Sequence, residues 1–140
     1  MAIPLLLVDD NNRYAKLLTD YFAPRGFTLE RATSGEEGLE KFRAHAPDHF
    51  AAVITDITME TRLAGYWMVR RLRRAGYKGT IMVASTAFNE IPIIDLHRAL
   101  YRGLDVQFLI PKRELKEGRP YFYPLGFFKA PLTEWRPEDA

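Results

Sequence analysis

The chain has 140 residues, 47% hydrophobic and 27% charged, which suits one globular domain with its own core and excludes wholesale disorder. It contains no cysteine, so a disulfide framework, a thiolate metal site and a cysteine nucleophile are all excluded, and a reducing, cytoplasmic setting is expected. The net charge of +2 is unevenly spread: residues 1–60 carry 6 Lys/Arg against 10 Asp/Glu, residues 61–115 carry 10 against 4, and residues 116–140 carry 4 of each, a polarity that suits an acidic site on one side and a basic docking surface on the other.

No stretch approaches the ~20 apolar residues of a membrane span. The opening apolar run carries no positive charge and meets Asp9 and Asp10 at once, so a secretory signal is not expected either. Ile3–Val8 reads as a strand buried on both faces. Tyr14, Leu17, Leu18, Tyr21 and Phe22 follow at helical spacing, and Arg25-Gly26 predicts the stop, since glycine accepts the left-handed backbone past a helix end. Phe27–Ala32 reads as the second strand, and Ser34 with Glu37 as a capping box opening a helix through Leu39 and Phe42. Residues 50–55 form a third apolar run ending on Asp56, and a helix through Val69 and Leu72 follows Gly65. Residues 80–84 predict a fourth strand. Ile93, Leu96, His97, Leu100 and Leu104 predict another helix, and residues 106–110 a fifth strand. Five strand-helix alternations predict an α/β fold, with a parallel sheet covered by helices on both faces.

The alternation breaks near residue 112, where the segment before Gly118 is too short for more than two turns of a fifth helix. Residues 116–140 then hold four of the nine prolines and six of the eighteen aromatics. Proline at that density prevents a regular helix, and so many aromatics disfavour a solvated tail. The expected division is a domain over residues 1–115 and an irregular extension over 116–140, packed on the domain or on a dimer partner.

In a doubly wound sheet, ligands bind outside the carboxyl ends of the strands. Asp9 and Asp10 stand at the end of the first strand, Asp56 at the third, Ser85 and Thr86 at the fourth and Lys112 at the fifth. Clustered carboxylates repel one another and call for a compensating cation, and hard oxygen ligands suit Mg²⁺. The blander readings are a solvated turn for Asp9-Asp10 that caps the first helix, a turn residue for Asp56, and loop formers for Ser85 and Thr86.

Taken together, the runs "LLLVDD" (5–10), "AAVITDITM" (51–59), "GTIMVAST" (79–86) and "FLIPK" (108–112) resemble the receiver domain of bacterial two-component response regulators, over roughly residues 3–112. The resemblance implies a flavodoxin-like, CheY-like sheet of order 2-1-3-4-5. It implies Asp56 as phosphoacceptor, with Mg²⁺ held by Asp10, by Asp9 through water, by Asp56 and by the Thr58 backbone carbonyl. Ser85 or Thr86 would be the switch hydroxyl, and Lys112 would neutralise the phosphoryl oxygens. The implied partners are a sensor histidine kinase or phosphotransfer protein and a downstream protein target, with a homodimer left open. No helix-turn-helix follows residue 112, so output is expected by protein contact.

The chain departs from the family pattern in several places. Glu60 follows Met59 where proline is usual, Gly65 lies one residue further from Asp56, and Pro111 precedes Lys112 instead of following it. Lys129 in "GFFKAPL" competes with Lys112, but choosing it leaves a long unexplained segment between strands four and five. These departures keep a second reading open: a phosphate-independent pseudo-receiver acting as a protein interaction module. An enzyme with an external substrate is not expected. A haloacid-dehalogenase-like hydrolase needs a second aspartate where Thr58 stands, and no GxGxxG or GxxxxGK[ST] loop exists. Arg70, Arg71, Arg73 and Arg74 interleave with Val69 and Leu72. They read as a solvated helix face, with an acidic partner or nucleic acid as the alternative. His45, His49 and His97 have no catalytic or metal-binding pattern.

Overall fold

The computed structural model describes residues 2–56, 64–85, 105–125 and 130–139. In chain order the elements are β1 (Ile3–Val8), α1 (Asn12–Phe22), β2 (Phe27–Ala32), α2 (Gly35–Arg43), β3 (Ala52–Asp56), α3 (Ala64–Arg74), β4 (Thr80–Ser85), β5 (Phe108–Pro111), α4 (Lys112–Lys116) and β6 (Tyr123–Pro124). The helix predicted around residues 93–104 lies outside the described residues. The sheet order is β2-β1-β3-β4-β5-β6; the first five strands are parallel, as the α/β reading requires, and β6 is antiparallel to β5. Sequence reasoning missed β6. Two residues are too few to show a period, and Pro124 has no N–H to offer a further strand, which suits an edge.

Strand alternation sorts the core into two layers. Leu6, Val8, Val53, Ile81, Val83 and Leu109 face α2 and α3, where Leu39, Phe42, Met68, Val69 and Leu72 bury them. Leu5, Leu7, Ala52, Ile54, Met82, Phe108 and Ile110 face α1, with Tyr14, Leu18, Phe22, Leu115, Phe122 and Trp135. Gly38 lets α2 cross β1 closely, because a Cβ there would meet Val8 Cγ2 at 2.7 Å and Met68 Cε at 2.8 Å.

Local signals set the ends of the helices. After α1 the chain tightens through a 3-10 turn, Ala23–Arg25, and Gly26 reverses it at φ 93°, the left-handed conformation predicted there. Ser34 Oγ accepts from the Glu37 N–H at 3.1 Å, as a cap should. Glu37 closes the other half of the box one residue early, accepting from Thr33 N and Oγ1 instead of from the Ser34 N–H. The aspartates do not cap α1. Asn11 does, its Oδ1 accepting from Arg13 N (3.0 Å) and Tyr14 N (3.1 Å).

Helix α4 spans five residues, and the chain beyond it covers the α1 side of the sheet. Phe122 and Leu132 exchange backbone hydrogen bonds at 2.8 Å in both directions. Trp135 is 1% exposed and its ring lies 5.8 Å from that of Phe27. Phe122 lies 6.1 Å from Phe22, and Tyr21 donates its hydroxyl to Thr133 O across 112 residues of chain. Burying an aromatic of this size is worth roughly 1.5–3 kcal/mol, so this segment belongs to the core.

Candidate functional site

The register carries the acidic strand ends to one edge. Val8 pairs with Thr55, Thr55 with Val83 and Val83 with Leu109, so the residues that follow Val8 and Thr55, namely Asp9 and Asp56, leave the sheet side by side. Ser85 pairs with Pro111, and Lys112 opens α4 immediately beyond. Alternation decides the face: Asp9 continues the parity of Leu5 and Leu7, Asp56 that of Ala52 and Ile54, and Lys112 that of Phe108 and Ile110. All three therefore fall on the α1 face of the sheet.

The side chains meet there. Lys112 Nζ lies 2.8 Å from Asp56 Oδ2 and 3.1 Å from Asp9 Oδ2. The three groups are 2%, 4% and 1% exposed respectively, so the ion pairs are buried. A buried ammonium is tolerated only when its donors are used. Two of them go to the carboxylates, and the Tyr14 ring lies 4.1 Å from the nitrogen, within cation–π reach. Asp9 Oδ1 accepts from the Asn11 N–H at 2.8 Å, and its backbone carbonyl accepts from Arg31 Nε (3.2 Å) and Nη2 (3.1 Å). Burial pushes the Asp9 carboxyl above the ordinary carboxylate range. The Lys112 charge and the Asn11 hydrogen bond oppose that rise, and the neighbouring Asp56 adds to it.

Asp10 completes the cluster from the solvent side, and ligand oxygens of Asp9, Asp10 and Asp56 all lie within 4.8 Å of one another. The donor set is all hard oxygen with one exposed member, which fits a small divalent cation that keeps part of its water shell. Three ionised carboxylates against the Lys112 ammonium leave an excess of two negative charges, the charge that such a cation carries. Ser85 ends β4 beside Pro111. Thr58, Thr86 and Lys129 lie outside the described residues.

Sequence reasoning missed Asn11, Tyr14 as a neighbour of Lys112, and Arg31. An asparagine directly before a helical stripe was the available signal for the cap. Tyr14 looked like ordinary core, and Arg31 gives no sign along the chain that it reaches Asp9, because that contact depends on β2 lying next to β1. The four arginines of α3 also behave unequally. Arg73 turns inward, donating through Nη1 to Tyr77 O (2.9 Å) and Gly79 O (2.8 Å), and through Nη2 to Asp105 O (2.6 Å) and Gln107 Oε1 (3.0 Å).

The model of the response regulator receiver domain matches residues 5–111. The Regulator of RpoS of Escherichia coli K12 is 29% identical over 115 residues, covering 82% of this chain and 32% of that protein. Chemotaxis protein CheY of Bacillus subtilis is 27% identical over 100 residues, covering 71% of this chain and 80% of its own length. The chain thus spans about a third of the first relatives it matches. Among solved structures, Vibrio cholerae CheY4 superposes with a TM-score of 0.67 at 19% identity, covering 80% of this chain and 88% of that one. The CheY of a CheX–CheY–BeF3–Mg²⁺ complex from Borrelia burgdorferi superposes with a TM-score of 0.67 at 21% identity, covering 83% and 85%. Among the described residues no helix is long and apolar enough to cross a membrane. With its 2-1-3-4-5 parallel order and a carboxylate cluster at the strand ends, the chain belongs to the response regulator receiver domain family, the phosphorylation-type signalling modules of two-component systems.

Proposed function

We propose that this domain accepts a phosphoryl group on Asp56 from a phosphohistidine of a sensor histidine kinase or phosphotransfer protein, and passes the signal on by protein contact in the cytoplasm. The observation that carries this reading is Lys112 Nζ at 2.8 Å from Asp56, inside a three-carboxylate cluster at the strand ends. In the transfer, an Asp56 carboxylate oxygen bonds to phosphorus as the donor P–N bond breaks, and that electron pair stays on the donor imidazole. Both reactants are anionic, so charge neutralisation and in-line positioning supply most of the catalysis. Lys112 is already desolvated and held against Asp56 by Asp9 and Tyr14, so its charge stands beside the carboxylate that would carry the phosphoryl group. Asp9, Asp10, Asp56 and the Thr58 carbonyl would hold Mg²⁺. When bound, Mg²⁺ supplies further positive charge against the phosphoryl oxygens.

Arg31 holds the Asp9 backbone from β2 and so keeps one wall of the site in place. The aspartyl phosphate adds charge and acceptor oxygens, which a hydroxyl from Ser85 or Thr86 would bond, shifting the loop after β4 between two states. The domain turns over no external substrate; it catalyses at most its own phosphorylation and dephosphorylation. The CheX–CheY complex from Borrelia burgdorferi, which shares this fold and holds BeF3 and Mg²⁺, supports this reading.

One observation favours the phosphate-independent alternative. Lys112 bonds both Asp9 and Asp56, so its ammonium partly neutralises the two buried carboxylates without any metal ion. Intact-protein mass spectrometry after incubation with acetyl phosphate and Mg²⁺ separates the two. A single phosphoryl adduct, lost in Asp56→Asn and under chelation, is the expected result. Absence of an adduct with Asp56 intact establishes the interaction module instead.

A further inference from the structure

The inward turn of Arg73 leaves the rest of the α3 surface arranged as a stripe. Trp67, Arg70, Arg71 and Arg74 stand at i, i+3, i+4 and i+7, the spacing of one helix face, while Met68, Val69 and Leu72 fill the core on the other side. Trp67 is 50% exposed, the one large hydrophobic so exposed among the described residues, and the Arg70 guanidinium lies 5.7 Å from its ring centroid. Arg43 joins the stripe from the end of α2. With Arg71, Arg74, Leu39 and Ala75 it lines a groove of about 360 Å³ between the two helices. Some exposed ions elsewhere are paired, as Lys16 is with Asp20 at 2.6 Å and Arg119 with Glu117 at 2.9 Å. Among the described residues, Arg43, Arg70, Arg71 and Arg74 have no carboxylate within 4.0 Å.

Four like charges with no counter-ion among the described residues repel one another, and surface arginine is easily replaced where only solubility is at stake. Cations near the ends of α2 and α3 complement the helix dipoles, which accounts for positive charge there. It does not account for a half-exposed tryptophan in the same stripe. Arginine and tryptophan are the side chains that dominate protein interfaces when placed side by side, because one forks onto carboxylates and the other buries a large apolar area. The groove is at the small end of ligand-sized clefts, with an apolar floor of Leu39 and Ala75 and an arginine rim.

We propose that the Trp67–Arg70–Arg71–Arg74 stripe and the adjoining Arg43 groove form a docking surface for an acidic peptide segment of a partner protein, whose carboxylates meet the arginines and whose apolar side chain enters between α2 and α3. The surface lies on the α2/α3 layer, away from the α1 face that carries Asp56 and Lys112. The proposal therefore stands whether or not Asp56 accepts phosphate.

The test is selection from a random-peptide display library against the full chain, followed by affinity measurement of the enriched peptides on wild type and on Arg71→Glu/Arg74→Glu. The expected peptides carry net negative charge and at least one large apolar residue. They should lose about tenfold or more in affinity on the charge-reversed variant and several-fold on Trp67→Ala. Both substituted arginines are exposed, so the unfolding midpoint should match wild type; Arg71→Gln/Arg74→Gln serves if the charge reversal disturbs α3. Failure to enrich peptides, enrichment of neutral or basic ones, or unchanged affinity for the variant overturns the proposal. Oligothymidylate binding more tightly than any selected peptide, and lost in the same variant, also overturns it and makes the stripe a nucleic-acid surface.

Discussion

The two faces of the sheet are closed by different means. On one face, α2 and α3 supply Leu39, Phe42, Met68, Val69 and Leu72, so strands are covered by helices that adjoin them in the chain. On the other, α1 is joined by Leu115, Phe122 and Trp135, residues of a short helix and an irregular segment more than ninety residues further on. Helical periodicity built the first cover. The second was built by aromatic burial over a long loop, where closure entropy rises only slowly with length. The buried charges belong to the second face, and Lys112 meets its cluster through Tyr14, whose ring lies 4.1 Å from the ammonium nitrogen. Leu115, one turn after Lys112 on α4, packs with Phe122 and Trp135.

Trp135→Ala tests that comparison most severely. A fully buried large aromatic costs about 3–5 kcal/mol when truncated, so urea unfolding should show a loss of that size. A loss below about 0.5 kcal/mol would mean that the segment only drapes over the surface. Lys112→Met comes next, at about 3–5 kcal/mol at neutral pH, because it strands the buried Asp9 and Asp56 carboxylates. A near-neutral effect would show that the carboxylates find other compensation.

Tyr77→Phe probes the opposite face and should cost about 1 kcal/mol, since the Tyr77 hydroxyl lies 3.1 Å from Phe50 O and 3.2 Å from Thr80 O. Burial raises the Tyr77 hydroxyl far above its ordinary value of 10.0. The folded protein then keeps a proton that the unfolded chain gives up. The stabilisation is complete below about pH 10 and drains away as pH rises from there. Denaturation followed across that range should show a falling stability in wild type and a flatter one in Tyr77→Phe. Asn11→Ala should cost a similar amount, about 1 kcal/mol from the lost cap of α1. The proposed phosphoryl uptake should be unaffected in that variant, because the N–H that residue 11 donates to Asp9 Oδ1 belongs to the backbone.

Much of the site was legible along the chain because strand ends are legible. Asp9, Asp56 and Lys112 each follow a compact apolar run, and parallel strands bring such ends to one edge. Preference for Lys112 over Lys129 rests on chain length; Lys112 directly follows β5 with its ammonium 2.8 Å from Asp56, and Lys129 lies outside the described residues. What escaped were contacts between elements distant in sequence. Arg31 reaches Asp9 because β2 pairs with β1, Tyr14 meets Lys112 because α1 packs beside α4, and Arg73 leaves its neighbours because Asp105 and Gln107 lie beside it. None of these leaves a period or a spacing in the chain.

The sequence by itself determined the five parallel strands and the helices α1 to α3, the α/β architecture and the identity of the acidic strand ends, because hydrophobic period, turn chemistry and strand termini are local properties. Tertiary structure alone decided how the Lys112 ammonium is shared between Asp9 and Asp56, which of the four α3 arginines is structural and which face the aromatic segment closes. Those outcomes depend on register, burial and charge compensation, quantities that exist only once distant residues share one low-dielectric interior.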